Sequence, residues 1–253
     1  ENGAVLVDDQ GLIVWHGDAD QVPAQYDIGQ THDFGQKILM PGFIDPHLHF
    51  PQYRMLASPG VDLMDWLTRF TFAEEAQYAD KQHATQAADI FLRQLFRHGT
   101  TSALAFSSVH KVAAEALFET AAGFNMAMTT GKTMMDRQAP AGVLDTAEQG
   151  AVDSQDLINQ WHGTGRANYA ITPRFAVTST EQQLALSGEL LRDNPTCLMQ
   201  THLSESAGEM ALIARDFPND KDYTDVYDRF GLLGATSVFG HAIHLGERET
   251  ARL

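Results

Sequence analysis

A chain of 253 residues, 43% hydrophobic and 20% charged, has the make-up of a globular protein with one sizeable core, which excludes a disordered or fibrous polymer. Seventeen basic against thirty-three acidic residues leave a formal net charge of -16, an unfavourable balance for holding phosphate backbones or anionic membranes, which argues against nucleic acid as a partner. One cysteine, Cys197, rules out an intrachain disulfide and a cysteine-based metal cluster and fits the reducing cytoplasm, while no run of about 18 apolar residues offers a membrane span.

The chain begins with two short apolar runs, Ala4 to Val7 and Leu12 to Trp15, joined by Asp8-Asp9-Gln10-Gly11, a composition that predicts a hairpin. The polar stretch from Gly17 to Gln36 leaves room for one or two more short strands. From Pro41 to Phe50 an apolar run bounded by Pro-Gly ends in two histidines one residue apart. It reads as a buried strand. The side-chain period of two puts His47 and His49 on one face, and two converging neutral imidazoles are half of a metal site, for which zinc is the common guest. A long connection follows, from Pro51 to about Ala79, with the aromatic-rich segments Leu63 to Leu67 and Phe70 to Phe72. It reads either as a wall of a binding site or as a short packed helix.

From Asp80 onward helical and strand-like stretches alternate. Ala87, Ile90, Phe91 and Leu95 fall at helical spacing, Gly99 stops that helix, and Thr100 to Phe106 is a strand. The unit recurs through the strands Met126 to Thr130, Tyr169 to Thr172, Cys197 to His202 and Ser237 to His241. Between them lie helices near Val112 to Ala122, around Leu157 to Trp161, from Ser179 (with Gln182 as a capping box) through Leu191, and near Ala207 to Asp216 and Tyr223 to Phe230. Counting from Pro41, six strands alternate with helices, which argues for a parallel sheet. The polar groups fall at the carboxyl ends of these strands: His47 and His49 on the first, Arg174 after the fourth, His202 on the fifth, His241 on the sixth. That is where a (β/α)₈ barrel builds its active site. No glycine-rich phosphate loop follows any strand, so nothing supports dinucleotide binding.

Glu205 lies three residues after His202, close enough to reach a water on a metal held by His202 and the earlier pair. Zinc with an open position lowers the pKa of its water to about 7. A carboxylate beside that water can take its proton and pass it to a leaving group. Alternatively, Glu205 is a solvated residue in the first turn of a helix, and His241 is a ligand, a proton carrier or a hydrogen-bonded core histidine.

In this order, PGFIDPHLH, HLSE and FGHAIHL resemble the amidohydrolase superfamily, and HFPQYRM, LMDWLTRFTF, ITPRF and DYTDVYDRFGLL resemble its guanine-deaminating branch. The resemblance implies a (β/α)₈ TIM-type barrel over residues 39–253, present through about six βα units, with residues 1–38 as part of a small β domain. It implies one zinc ion on His47, His49 and His202, Glu205 as proton shuttle and His241 beside the reacting carbon. Gln52, Arg174 and Phe175, with His49, His202 and Glu205, would hold the base. Arg174 can donate to a carbonyl, Gln52 can donate and accept, and Phe175 can stack. An arginine in ITPRF, where binuclear relatives carry a bridging lysine or glutamate, points to a single metal. The implied activity is zinc-dependent hydrolysis of guanine to xanthine and ammonia, in a cytoplasmic homodimer. The last two βα units, with an aspartate ligand, would lie beyond Leu253. Related readings are a zinc hydrolase of another azaheterocycle, such as cytosine, 8-oxoguanine or a chlorotriazine, and a non-catalytic barrel scaffold.

Overall fold

The computed structural model describes residues 2–253, in two compact units, one running to Pro41 and the other from Gly42 to Leu253. In the first unit β1 (Gly3–Val7) pairs antiparallel with β2 (Ile13–Asp18). The Asp8 carboxylate closes the turn by accepting from the backbone N–H groups of Gln10 and Leu12, both at 2.9 Å. The expected hairpin forms. The further strands expected between Gly17 and Gln36 do not: a short 3₁₀ turn at Ala19–Gln21, capped by Asp18, leads into irregular backbone. Pro23, Gly29 and Gly35 interrupt that stretch, and it lacks the apolar alternation that would give a strand a face to bury.

The second unit is a parallel sheet wrapped by helices. Its strands are β3 (Phe43–His49), β4 (Thr100–Phe106), β5 (Ala127–Gly131), β7 (Ala167–Pro173), β8 (Leu198–Leu203) and β9 (Ser237–His241), paired in that order. A two-residue β6 (Thr133–Met134), which the sequence pattern did not reveal, also pairs with β7. The sheet is curled. Gln200 Nε2 on β8 donates at 3.1 Å to the backbone carbonyl of Ala105 on β4, reaching across an interior that β5 and β7 enclose. Thr130 Oγ1 donates to the same carbonyl at 2.7 Å, so buried polar side chains satisfy one another inside the barrel. These are six strands of the (β/α)₈ pattern, nearly closed into a barrel.

Between the strands run α3 (Lys81–Arg97), α4 (Lys111–Gly123), α5 (Ala147–Trp161), α6 (Glu181–Asp193), α7 (Ala207–Asp216) and α8 (Tyr223–Arg229), with α9 (Glu247–Arg252) after β9. Most start where a short polar side chain satisfies an orphan N–H: Asp80 for α3, Thr146 for α5, Asp222 for α8, and Ser206 with Glu209 in a full capping box for α7. The cap of α6 is Thr180, one residue later than the Ser179 and Gln182 pattern suggested. Asp136 accepts from the Thr180 backbone N–H at 2.7 Å and thereby claims that residue for the cap, while Ser179 Oγ donates to Gln183 Oε1. The long connection after β3 is largely helical, with α1 (Leu63–Trp66), a π-type turn at Leu67–Thr71 and α2 (Phe72–Ala76). Apolar faces of these helices and the outer sheet face meet in two buried clusters, one around Phe118, Tyr169, Leu184 and Tyr227, the other around Phe50, Tyr78, Phe91 and Leu117.

Gly188 sits inside α6, where propensity alone favours alanine by about 1 kcal/mol. A Cβ there would lie 1.9 Å from the backbone oxygen of Phe230. Packing therefore reverses the sign: in the full-length protein Gly188→Ala is expected to lose about 1–3 kcal/mol. Gly208→Ala on α7, which meets nothing within 4 Å, should be neutral or stabilising, and urea denaturation midpoints of the two variants check the contrast.

Candidate active site

Because the six strands are parallel, their carboxyl ends share one rim, and all eight side chains singled out from the sequence line a single cavity of about 230 Å³ on it. The register places His202 beside Gly240 across the β8 and β9 pair, and His49 beside Phe106 across β3 and β4. His47 belongs to one edge strand and His241 to the other. Their ring centroids are nevertheless 5.0 Å apart, because the curl brings the two edges together at this end. Gly240 makes the approach possible: a Cβ there would meet the His47 ring at 2.4 Å.

The imidazoles are set for coordination. His202 Nδ1 lies 2.7 Å from the backbone carbonyl of Arg174, an acceptor only, so Nδ1 carries the proton and the Nε2 lone pair is free. That Nε2 faces His49 Nε2 at 3.0 Å, and His49 Nδ1 is buried without a partner. Ring nitrogens of His47, His202 and His241 all lie within 4.8 Å of one another. His49 enters the group through His202, and Phe106 stacks on His49 at 4.6 Å and lies tilted against His202 at 4.4 Å between centroids. Burial is the main cause that pushes all four imidazoles below their ordinary pKa, His49 and His202 furthest. Neutral nitrogens pointing at one another are short of an acceptor's partner, and a divalent cation supplies it. The donor set fits a metal.

Glu205 Oε2 stands 3.4 Å from His241 Nε2. Burial, reinforced by the charge of Glu209, pushes the Glu205 carboxyl up to about 7. The chain leaves β8 and β9 through uncommon backbone: Ser204 has φ of 50°, and His241 and Ala242 have φ of 68° and 51°. Such left-handed residues cost of order 1–3 kcal/mol each unless the surroundings fix them. Here the N–H groups of Ile243 and His244 donate to Ser204 O, and that of Ala242 to Leu203 O, tying the ends of β8 and β9 together.

Arg174 is buried rather than on the surface. Its Nη1 donates at 2.7 Å to Glu75, and Gln52 Nε2 donates to the other oxygen of the same carboxylate at 3.1 Å. Phe175 meets His202 edge to face at 6.4 Å, and Leu63, Trp66 and Leu67 complete the wall, so the long connection is both helical and part of the cavity. Sequence reasoning missed Glu75, Phe106 and Gly240. Only the acidic pair Glu74-Glu75 inside an otherwise apolar aromatic segment hinted at the first.

Residues 38–253 match the Amidohydrolase family. The chain belongs to the amidohydrolase family. It is 42% identical over 257 residues to guanine deaminase of Escherichia coli (strain K12), a match covering all of this chain and 58% of that protein. It is 37% identical over 252 residues to a probable guanine deaminase of Deinococcus radiodurans, covering 98% of this chain and 57% of the relative. The solved structure of the E. coli guanine deaminase superimposes with a TM-score of 0.94 over 99% of this chain and 58% of that one. That of the guanine deaminase from C. acetobutylicum with guanine bound in the active site gives 0.91 at 28% identity, over 98% and 59% of the two chains. The chain thus spans less than two thirds of the length of these relatives, and over that span it has the amidohydrolase barrel.

Gly240→Ala tests whether this amidohydrolase site needs the gap beside His47. The added methyl would displace the ring, and metal affinity of the full-length protein is expected to fall by about 10- to 100-fold, as it does when a ligand loses its support. A chelator titration measures it.

Proposed function

We propose that this chain carries the active site of a zinc-dependent hydrolase that converts guanine and water to xanthine and ammonia. The observation that carries the reading is one small cavity holding the neutral histidine cluster, Glu205 and the Arg174 and Gln52 pair, in a chain 42% identical to a guanine deaminase. At about 230 Å³ it is smaller than the roughly 300–1,000 Å³ of drug-sized sites and suits a single base.

His47, His49 and His202 would hold one zinc ion, with the Nε2 atoms of His49 and His202 already directed at each other. When bound, zinc supplies a Lewis acid that acidifies water to about pKa 7. Glu205 takes the water proton and returns it to the departing amine, so the carbon–nitrogen bond breaks with ammonia rather than amide ion as leaving group. His241, 3.4 Å from Glu205, donates to or accepts from that carboxylate as the proton moves and faces the reacting carbon. Arg174 keeps N–H groups beyond the one given to Glu75 and donates to the purine carbonyl, while Phe175 packs on the flat base. Trp66 and Leu63 add apolar surface to the cavity wall. We place the enzyme in the cytoplasm as a homodimer. The lone buried Cys197, whose thiol burial raises to about 11, suits a reducing compartment, and among the described residues no helix is long and apolar enough to cross a membrane. The dimer rests on the family resemblance.

Two variants of the full-length protein separate the roles. His202→Ala should lower zinc content and turnover together, whereas Glu205→Gln should keep the metal and lose about 10²- to 10⁴-fold in kcat. Near-normal turnover in Glu205→Gln would remove the shuttle assignment. Specificity is a separate check: a site built to donate to a carbonyl leaves buried donors unpaired on an analogue without one, so guanine should be preferred over adenine by roughly 10⁴-fold or more, measured by ammonia release.

A further inference from the structure

One buried carboxylate behind the cavity wall has no part in the deamination chemistry. Glu75, on α2, is fully buried, and its two oxygens bridge two groups that line the cavity: Oε2 accepts from Arg174 Nη1 at 2.7 Å and Oε1 from Gln52 Nε2 at 3.1 Å. Its backbone carbonyl accepts from Ser108 Oγ at 3.1 Å, which pins the short helix to the barrel rim just past β4. The Arg174 guanidinium also lies over the Phe72 ring, 5.6 Å from its centroid, so its plane is fixed from two sides.

The two ends of a glutamine amide are nearly isosteric, and the partner decides which way it turns. A carboxylate only accepts. Glu75 therefore takes the nitrogen of Gln52 and leaves its oxygen to the cavity, where it receives no hydrogen bond from the described residues. The same carboxylate takes Nη1 of the guanidinium, and Arg174, which also lines the cavity, keeps further N–H groups to donate there. The wall thus presents a donor next to an acceptor. A buried ion pair adds little net stability, because desolvation of both charges offsets their attraction, so the effect of this one lies in geometry.

We propose that Glu75 is a positioning residue that sets substrate specificity: by fixing Arg174 as donor and Gln52 as acceptor it selects a lactam edge, a ring carbonyl with an adjoining N–H, over an amidine edge. This rests on the guanine-deaminating reading of the site. Guanine carries the lactam edge. 2,6-Diaminopurine keeps the amino group that leaves but has an amino group in place of the carbonyl and a bare ring nitrogen beside it, so every donor and acceptor on that edge is reversed.

The test is the ratio of kcat/KM for guanine to that for 2,6-diaminopurine, measured on the full-length zinc-loaded protein. In Glu75→Gln the bridge becomes neutral and can pair with either end of Gln52. The ratio is expected to fall by about 10- to 100-fold, with zinc content unchanged and the guanine KM rising more than kcat falls. Glu75→Asp keeps the charge beside Arg174 but is one methylene short of reaching both partners. It should fall part of the way, and it carries the test if thermal melting shows that Glu75→Gln does not fold. In a Gln52→Leu background the Glu75→Gln substitution should change the ratio much less. A purely structural role would lower folded protein and leave the ratio where it was. Folded, zinc-replete Glu75 variants with the wild-type ratio overturn this inference alone; a zinc-loaded wild-type protein that does not release ammonia from guanine overturns the deamination reading and the inference with it.

Discussion

The site depends on one backbone carbonyl. Arg174 O, just past the end of β7, accepts from the backbone N–H of His202 at 3.1 Å and from its ring Nδ1 at 2.7 Å, and Thr201 Oγ1 donates to it at 3.3 Å. Tyr227 from α8 donates to the carbonyl of His202 at 2.8 Å and holds the following peptide of the same residue. β8, which carries His202, is thus locked to Arg174, the residue that follows β7. The imidazole has one tautomer because the group facing Nδ1 can only accept. Through its side chain Arg174 reaches Glu75, and through Glu75 Gln52, so the orientation of the His202 ring and the arrangement of this polar wall share a single support.

Four imidazoles gather at one rim, with His202 buried and His241 exposed, and their facing nitrogens leave lone pairs that a divalent cation would satisfy. Burial favours the neutral rings, and neutral rings present lone pairs at close range. The barrel tolerates this because the groups lie at the strand ends, beyond the apolar layers, where the regular hydrogen-bond ladder has finished. Left-handed backbone at Ser204, His241 and Ala242 falls in the same zone. Those residues turn the chain sharply after β8 and β9, which keeps Glu205 and His241 over the cavity rather than continuing along the strands.

Several parts of the architecture were legible before any coordinates. The histidine spacing in β3, the bounds of β4 and β9, the range of α7 and the order of six strands follow from apolar periodicity and capping residues, which are local properties of the chain. The misreadings have one local and one long-range cause. Residues 17–36 hold polar and turn-forming residues without alternation, and the cap of α6 shifted to Thr180 because Asp136, forty-four positions away, binds it. No window of sequence contains that contact.

For the site, residue identity determined the chemistry available: imidazoles to hold a cation, a glutamate to move a proton, a guanidinium and an amide to meet a base. Which atoms of those residues are free was decided only in three dimensions. His202 offers Nε2 because Arg174 O occupies Nδ1, His47 reaches His241 because Gly240 lacks a side chain, and Gln52 turns its oxygen inward because Glu75 holds its nitrogen. Spacing along a strand says which residues share a face. Hydrogen-bond polarity depends on what stands opposite, and in a parallel barrel the opposite group comes from a strand or helix many residues distant.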